Sequence, residues 1–187
     1  MNLKVFLLAT CLVASVNLQA APKKVSPYQA IYNQAIQAFN QQDYTNAFNL
    51  LKPLADKGDA TAQNSLATLY EQGLGVEKNA AEAFKWYEKA AKQGVADAQF
   101  EVGFLYAEGV GVAQDYQQAF VWYHKAAKQG HAAAQNNLAM RYASGTGVKC
   151  NVKQAKKWFT RAAKQGHGSA IMALQNFEQV EKSCKNK

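Results

Sequence analysis

Few side chains in this sequence have types that could do chemistry, and their spacing argues against most of it. Three histidines occur: His124, His131 and His167. Zinc would need His, Cys or Asp ligands gathered around one ion. His131 and His167 instead stand 36 residues apart, each just after a glycine. That is the spacing of a recurring polar residue at a helix start. A serine nucleophile of the Ser-x-x-Lys kind needs lysine three positions on, and no serine here has one. The loops GLGVEKN at 73–79, GVGVAQD at 109–115 and GTGVKCN at 145–151 are rich in glycine. They lack the Gly-Lys-Ser/Thr that gives a phosphate loop its cation and metal ligand. They read as turns. The expectation is therefore no catalytic residue, no cofactor and no metal.

What recurs in the chain is architecture. KAAKQG stands at 89–94, returns at 125–130 and again as RAAKQG at 161–166. At the same step of 36, Gly58, Gly94, Gly130 and Gly166 coincide, as do Tyr70, Tyr106 and Tyr142, and Trp86, Trp122 and Trp158. A period in this range is the signature of a repeat solenoid. Each unit reads as two helices. In the first, Leu66, Ala67 and Tyr70 share one face, and Gly73 can stop it in the left-handed conformation. The second opens on Asn79, Asp115 or Asn151, which are good N-caps. Glu82, Gln118 or Gln154 follows three residues on, as in a capping box. KAAKQG then closes the second helix. Its alanines allow close helix approach, its lysines suit the negative end of the helix dipole, and its glycine stops the helix. Gln63, Gln99 and Gln135 are polar residues at a buried face, and the adjacent turn could supply their partners.

The stretch AQ…LAxLY…GLGV…AFKWYEKAAKQG at 62–94, with its two echoes, resembles the Sel-one-like repeat, a relative of the tetratricopeptide repeat. The resemblance implies an all-α, right-handed α-solenoid of antiparallel helix pairs, about nine helices in all. Full units are expected over 59–94, 95–130 and 131–166. Residues 28–58 resemble a shorter tetratricopeptide-type unit, with Asp43 in the N-cap position and Pro53 in its second helix. Residues 167–183 are expected to form a single capping helix. The resemblance also implies a protein- or peptide-binding scaffold rather than an enzyme. Within that class an inhibitor of an imported toxin is one alternative. A β-lactam- or peptidoglycan-directed enzyme is the alternative from the other class.

Residues 1–20 have a different composition. Lys4 precedes an uncharged run, VFLLATCLVASV, and small Ala20 follows. This is the pattern of a cleaved secretory signal, too short to span a bilayer. Cleavage after Ala20, a short linker at 21–27, and a periplasmic or secreted destination are expected. Nucleic acid is then not an expected partner, and a monomer is expected.

Positive charge is unevenly placed. Residues 21–148 carry 11 basic and 11 acidic residues, whereas 149–187 carry 9 and 2. Lys153, Lys156, Lys157, Arg161 and Lys164 fall along one helix and form a candidate patch for an anionic surface. Their alternative is a solvated helix face. By the resemblance, first helices line a concave groove. Phe100, Phe104, Asn136, Asn137 and Met140 are the candidate partner-binding residues there. Phe104 and Met140 are assigned to the groove, whereas Phe100 has a second place open to it, packed sideways on the neighbouring first helix.

Cys150 and Cys184 remain once residues 1–20 are removed. They lie 16 to 17 residues on either side of the turn at Gly166-His167, so at equal rise both reach the open end of one helical hairpin. A disulfide there would clip the last helix to the stack, and an exported chain can keep it. Free thiols, or pairing with another chain, are the alternatives.

Overall fold

The computed structural model describes residues 28–185, so the expected signal at 1–20 and linker at 21–27 lie outside the described residues. Among those described there are ten helices and no strand. They fall into two compact units, one ending at Gln93 and one beginning at Gly94. The first holds α1 (Gln29–Asn40), α2 (Tyr44–Asp56), α3 (Ala60–Gln72) and α4 (Ala80–Lys92). The second holds α5 (Ala96–Glu108), α6 (Tyr116–Lys128), α7 (Ala132–Ser144), α8 (Val152–Lys164), α9 (Gly168–Gln175) and α10 (Phe177–Lys185). Within each unit, consecutive helices pack on one another.

Local chemistry sets the helix boundaries. Asp43, Asp59, Asn79, Asp115 and Asn151 each accept a backbone N–H of the first turn through a side-chain oxygen, at 2.8–3.1 Å. Glu82 does not complete its capping box. It accepts instead from Lys85 Nζ at 2.7 Å. The first helices α3, α5 and α7 end on Gly73, Gly109 and Gly145, all left-handed at φ 70–71°. Asn79, Asp115 and Asn151 then close the loops by donating their backbone N–H to Tyr70, Tyr106 and Tyr142.

In the core of the second unit, Tyr123, Leu138, Trp158 and Phe159 pack among Ala119, Ala126, Ala134, Ala139, Ala155 and Ala162. The alanines let the helices approach closely, and the aromatic rings supply most of the apolar area. The three tryptophans are capped from outside by a cation one turn on. Lys89 lies 3.7 Å from the ring centre of Trp86, Lys125 lies 3.7 Å from Trp122, and Arg161 lies 4.6 Å from Trp158. The first lysine or arginine of the repeated phrase thus covers an aromatic face.

The glutamine of that phrase has a role that its position alone did not disclose. Gln129 Nε2 donates to Gln99 Oε1 at 2.8 Å and to the Gly94 carbonyl at 2.9 Å. Gln165 does the same to Gln135 and Gly130, and Gln93 to Gln63 and Gly58. Gln63 and Gln135 pass the chain on, donating to the Ala55 and Ala127 carbonyls at 3.1 Å. Each buried first-helix glutamine is therefore held by the next second helix. Gln165→Ala should cost about 1–3 kcal/mol, because it removes the donor to the buried amide oxygen of Gln135. Urea unfolding beside the exposed control Gln117→Ala measures it.

Candidate binding groove

The C-terminal cap departs from the single helix expected over 167–183. The helix stops at Gln175, Asn176 leaves it at φ −108°, ψ 30°, and α10 starts afresh at Phe177. The reason lies in what each half can bury. Only Ala170 of α9 is buried, whereas Phe177 must enter the core. Asn176 suits the break, since its Nδ2 donates to the Met172 carbonyl at 3.2 Å. The extra helix also accounts for ten helices where about nine were expected. It turns α10 onto α7 and α8. Cys184 of α10 is joined by a disulfide to Cys150, with Cα atoms 5.9 Å apart.

This turn leaves a groove of about 640 Å³. Asn136, Met140 and Ala143 of α7 form one side, Phe159 of α8 lies within, and Met172 of α9 and Val180 of α10 face them. Repeat variation explains why it opens here. In the first unit, Thr68 Oγ1 lies 2.9 Å from the Tyr87 hydroxyl, which donates to Glu71, so that position is closed by hydrogen bonds. In the third full repeat the same positions hold Met140 and Phe159. Without either hydroxyl, that network cannot form. Met140 is left 53 % exposed and Met172 59 %.

The candidate residues scatter around this groove. Met140 and Asn136 line it. Asn136 is only 5 % exposed, so it is a buried residue rather than an open one. Its Nδ2 donates to Asn137 Oδ1 at 3.3 Å and approaches Met140 Sδ at 3.6 Å, while its own Oδ1 is buried without a partner. Asn137 is half-buried, and burial holds the hydroxyl of Tyr123 above its usual pKa. Phe100 and Phe104 are half-buried against the core of the second unit, and neither lines the groove. Phe100 stacks on His131, ring centres 4.7 Å apart, as in the sideways placement left open for it. His131 caps α7, its Nδ1 accepting from Ala134 N at 3.1 Å.

The basic residues of α8 are all exposed, but two are engaged: Arg161 over Trp158, and Lys156 at 5.3 Å from the Phe177 ring centre. Lys153, Lys157 and Lys164 also lie on the exposed face of α8. A wider charge asymmetry emerges when the groove is placed. Between Asp115 and Glu178 there is no acidic residue, and there are nine lysines and arginines. The absence of acids and the change from tyrosine to Phe159 were readable signals for this site.

His124 sits beside this region, its ring 6.0 Å from Phe120 and 6.1 Å from Trp158. Burial first, and then the charge of Lys128, hold its pKa below the usual 6.5. The unfolded chain therefore takes up this proton before the folded one does. The stability tied to neutral His124 is complete above about pH 6.5 and is lost as pH falls below it. Denaturation midpoints between pH 7.5 and 5 should fall less steeply for His124→Gln than for the native chain.

Among the described residues no group of three His, Cys, Asp or Glu side chains could hold a metal ion. No described helix is long and apolar enough to cross a membrane.

Helix pairs on a 36-residue beat, joined by left-handed glycines and tied by a glutamine ladder, define an α-helical repeat protein of the solenoid class. The Sel1 repeat profile matches residues 41–59, 60–95, 96–131 and 132–167, and the chain belongs to that family. The matched frame starts one residue after the units at 59–94, 95–130 and 131–166, and counts 41–59 as a partial copy. The chain is similar to the Sel1 repeat protein from Oxalobacter formigenes, at 39 % identity and TM-score 0.70 over 74 % of this chain. It is also similar to c5321, a protective antigen of uropathogenic Escherichia coli strains with this fold, at 36 % identity and TM-score 0.73 over 75 %. It spans 57 % and 31 % of those two chains. The cysteine-rich protein B of Helicobacter pylori shares the fold, at 23 % identity and TM-score 0.51, over 78 % of this chain and 96 % of that one. No curated protein gives a significant match.

Proposed function

We propose that this chain is a non-enzymatic binding module of the bacterial envelope, which holds another polypeptide in the groove between α7, α9 and α10. Sel1 repeats commonly serve as protein-interaction scaffolds. The observation that carries the reading is the groove itself. It is apolar, open, and lined by two methionines more than half exposed. Exposed apolar surface with a polar rim marks an interaction site, and methionine adapts its shape to varied partners. Export is supported by the pattern of residues 1–20 and by the Cys150–Cys184 disulfide, which suits an oxidising compartment.

Met140→Asp should weaken partner binding by about 1–2 kcal/mol or more and leave thermal stability almost unchanged, since Met140 is 53 % exposed. Crosslinked capture from a periplasmic extract, native chain beside variant, tests it. Equal capture by both, or loss of capture only together with loss of folding, would count against the groove.

A further inference from the structure

We propose that the groove takes an extended, acidic segment of a partner polypeptide, with a large apolar side chain inside the groove and one backbone N–H of the segment donated to Asn136 Oδ1. This rests on the binding-module reading above and names what the module binds.

Asn136 supplies the first reason. It is more than nine-tenths buried and lines the groove, yet its Oδ1 has no partner. A buried acceptor of this kind is costly unless a donor reaches it. Its Nδ2 is already committed to Asn137 and Met140. Ser144, Ser169, Asn176 and Gln179 also bring polar groups to the lining, but among the lining residues Asn136 Oδ1 is the buried acceptor left without a donor. A backbone N–H fits that requirement. A phosphate or carboxylate does not, because either would bring acceptors to an acceptor, and no lysine or arginine lines the groove.

The floor supplies the second. Met140, Phe159, Met172 and Val180 present carbon and sulfur. They suit a large apolar side chain next to the bonded amide.

Charge decides which polypeptide. Every lining residue from α7, α8 and α9 belongs to the stretch between Asp115 and Glu178, which holds nine lysines and arginines and no acid. Glu178 and Glu181 on α10 are the nearest exceptions in sequence. Residues 94–187 carry 12 basic and 6 acidic residues in all. This net positive charge of the unit, outside a groove that no lysine or arginine lines, favours an acidic partner and speeds its encounter. It disfavours two other occupants. Residues 1–27 of this chain carry three lysines and no acid, and a second copy carries a net +8.

The test is a selection of random nine-residue displayed peptides on the purified full chain. Enriched sequences should carry a net negative charge and one large apolar residue. Ala173→Trp, which fills the groove from α9, should weaken the selected peptides about thirtyfold or more. Asn136→Ala should weaken them about tenfold. N-methylation of the bonded peptide amide should cost the native chain a similar factor, and cost Asn136→Ala almost nothing further. Thermal melts check folding, and Met140→Asp replaces Ala173→Trp if that variant does not fold. Enrichment without acidic residues, or binding that survives both groove variants, would overturn the proposal. So would competition of the peptides by phosphatidylglycerol vesicles, which would make the site a lipid surface. If the selection fails while Met140→Asp still loses capture from the extract, the acidic segment is wrong and the binding module stands. If both fail, the binding reading falls too.

Discussion

Replacing Cys150 and Cys184 together with serine should lower the stability of the second unit by about 3–4 kcal/mol, on the chain-entropy account of closing a loop of this length. The two cysteines are 34 residues apart in sequence. The loop contains all of α8 and α9. Without the bond, α10 is held by Phe177, by the half-buried Val180 and by the break at Asn176. Those contacts are few, so the loss should begin there, with α10 amides losing hydrogen-exchange protection before those of α7 and α8. The groove should loosen with it, because Val180 and Gln179 belong to its wall. Guanidinium unfolding of the native and double-serine chains gives the magnitude. Equal midpoints, with α10 still protected, would show that the bond adds nothing to its anchoring.

Gly147→Ala should destabilise the second unit by about 3 kcal/mol, and Gly130→Ala by only about 1–2 kcal/mol. Both glycines have positive φ, 75° and 96°, so each alanine bears the left-handed penalty. They differ in surroundings. A Cβ on Gly130 meets no atom within 4 Å. A Cβ on Gly147 would land on the backbone carbonyl of Tyr116, the first residue of α6. That neighbour is main chain at a helix start and cannot swing aside as a side chain could. The second glycine of the GTGV loop is thus required for close approach as well as for conformation. Urea titrations of the two variants side by side decide the matter, and equal losses would refute the close-contact argument.

Much of the fold was legible because it depends on residues three or four apart. N-caps, glycine stops and the faces of Leu66, Ala67 and Tyr70 are short-range matters, and a step of 36 repeated them until their meaning was plain. Even the disulfide partners were readable, since Cys150 and Cys184 are equally far from one turn and helical rise is constant. The break at Asn176 was not. Leu174 continued the register of a first helix, and nothing nearby in sequence says that Phe177 must enter a core built by α6 to α8. Nor was the ladder. The glutamine of KAAKQG bonds a glutamine 30 residues before it and a carbonyl 35 before it, so its purpose exists only once repeats are stacked.

The site divides the same way. Met140 was readable as an apolar residue on a first helix, and Asn136 as its neighbour one turn before. Phe104 is assigned to the groove and Phe100 has a sideways place open to it, yet both half-bury against the core of their own unit. Helical periodicity tells which residues share a face, and the sequence by itself determined that much. Whether a neighbouring helix covers the face is decided by where the chain goes tens of residues later. Here it is the turn at Asn176, drawn by the burial of one phenylalanine and pinned by one disulfide, that leaves Met140 and Met172 facing an open groove.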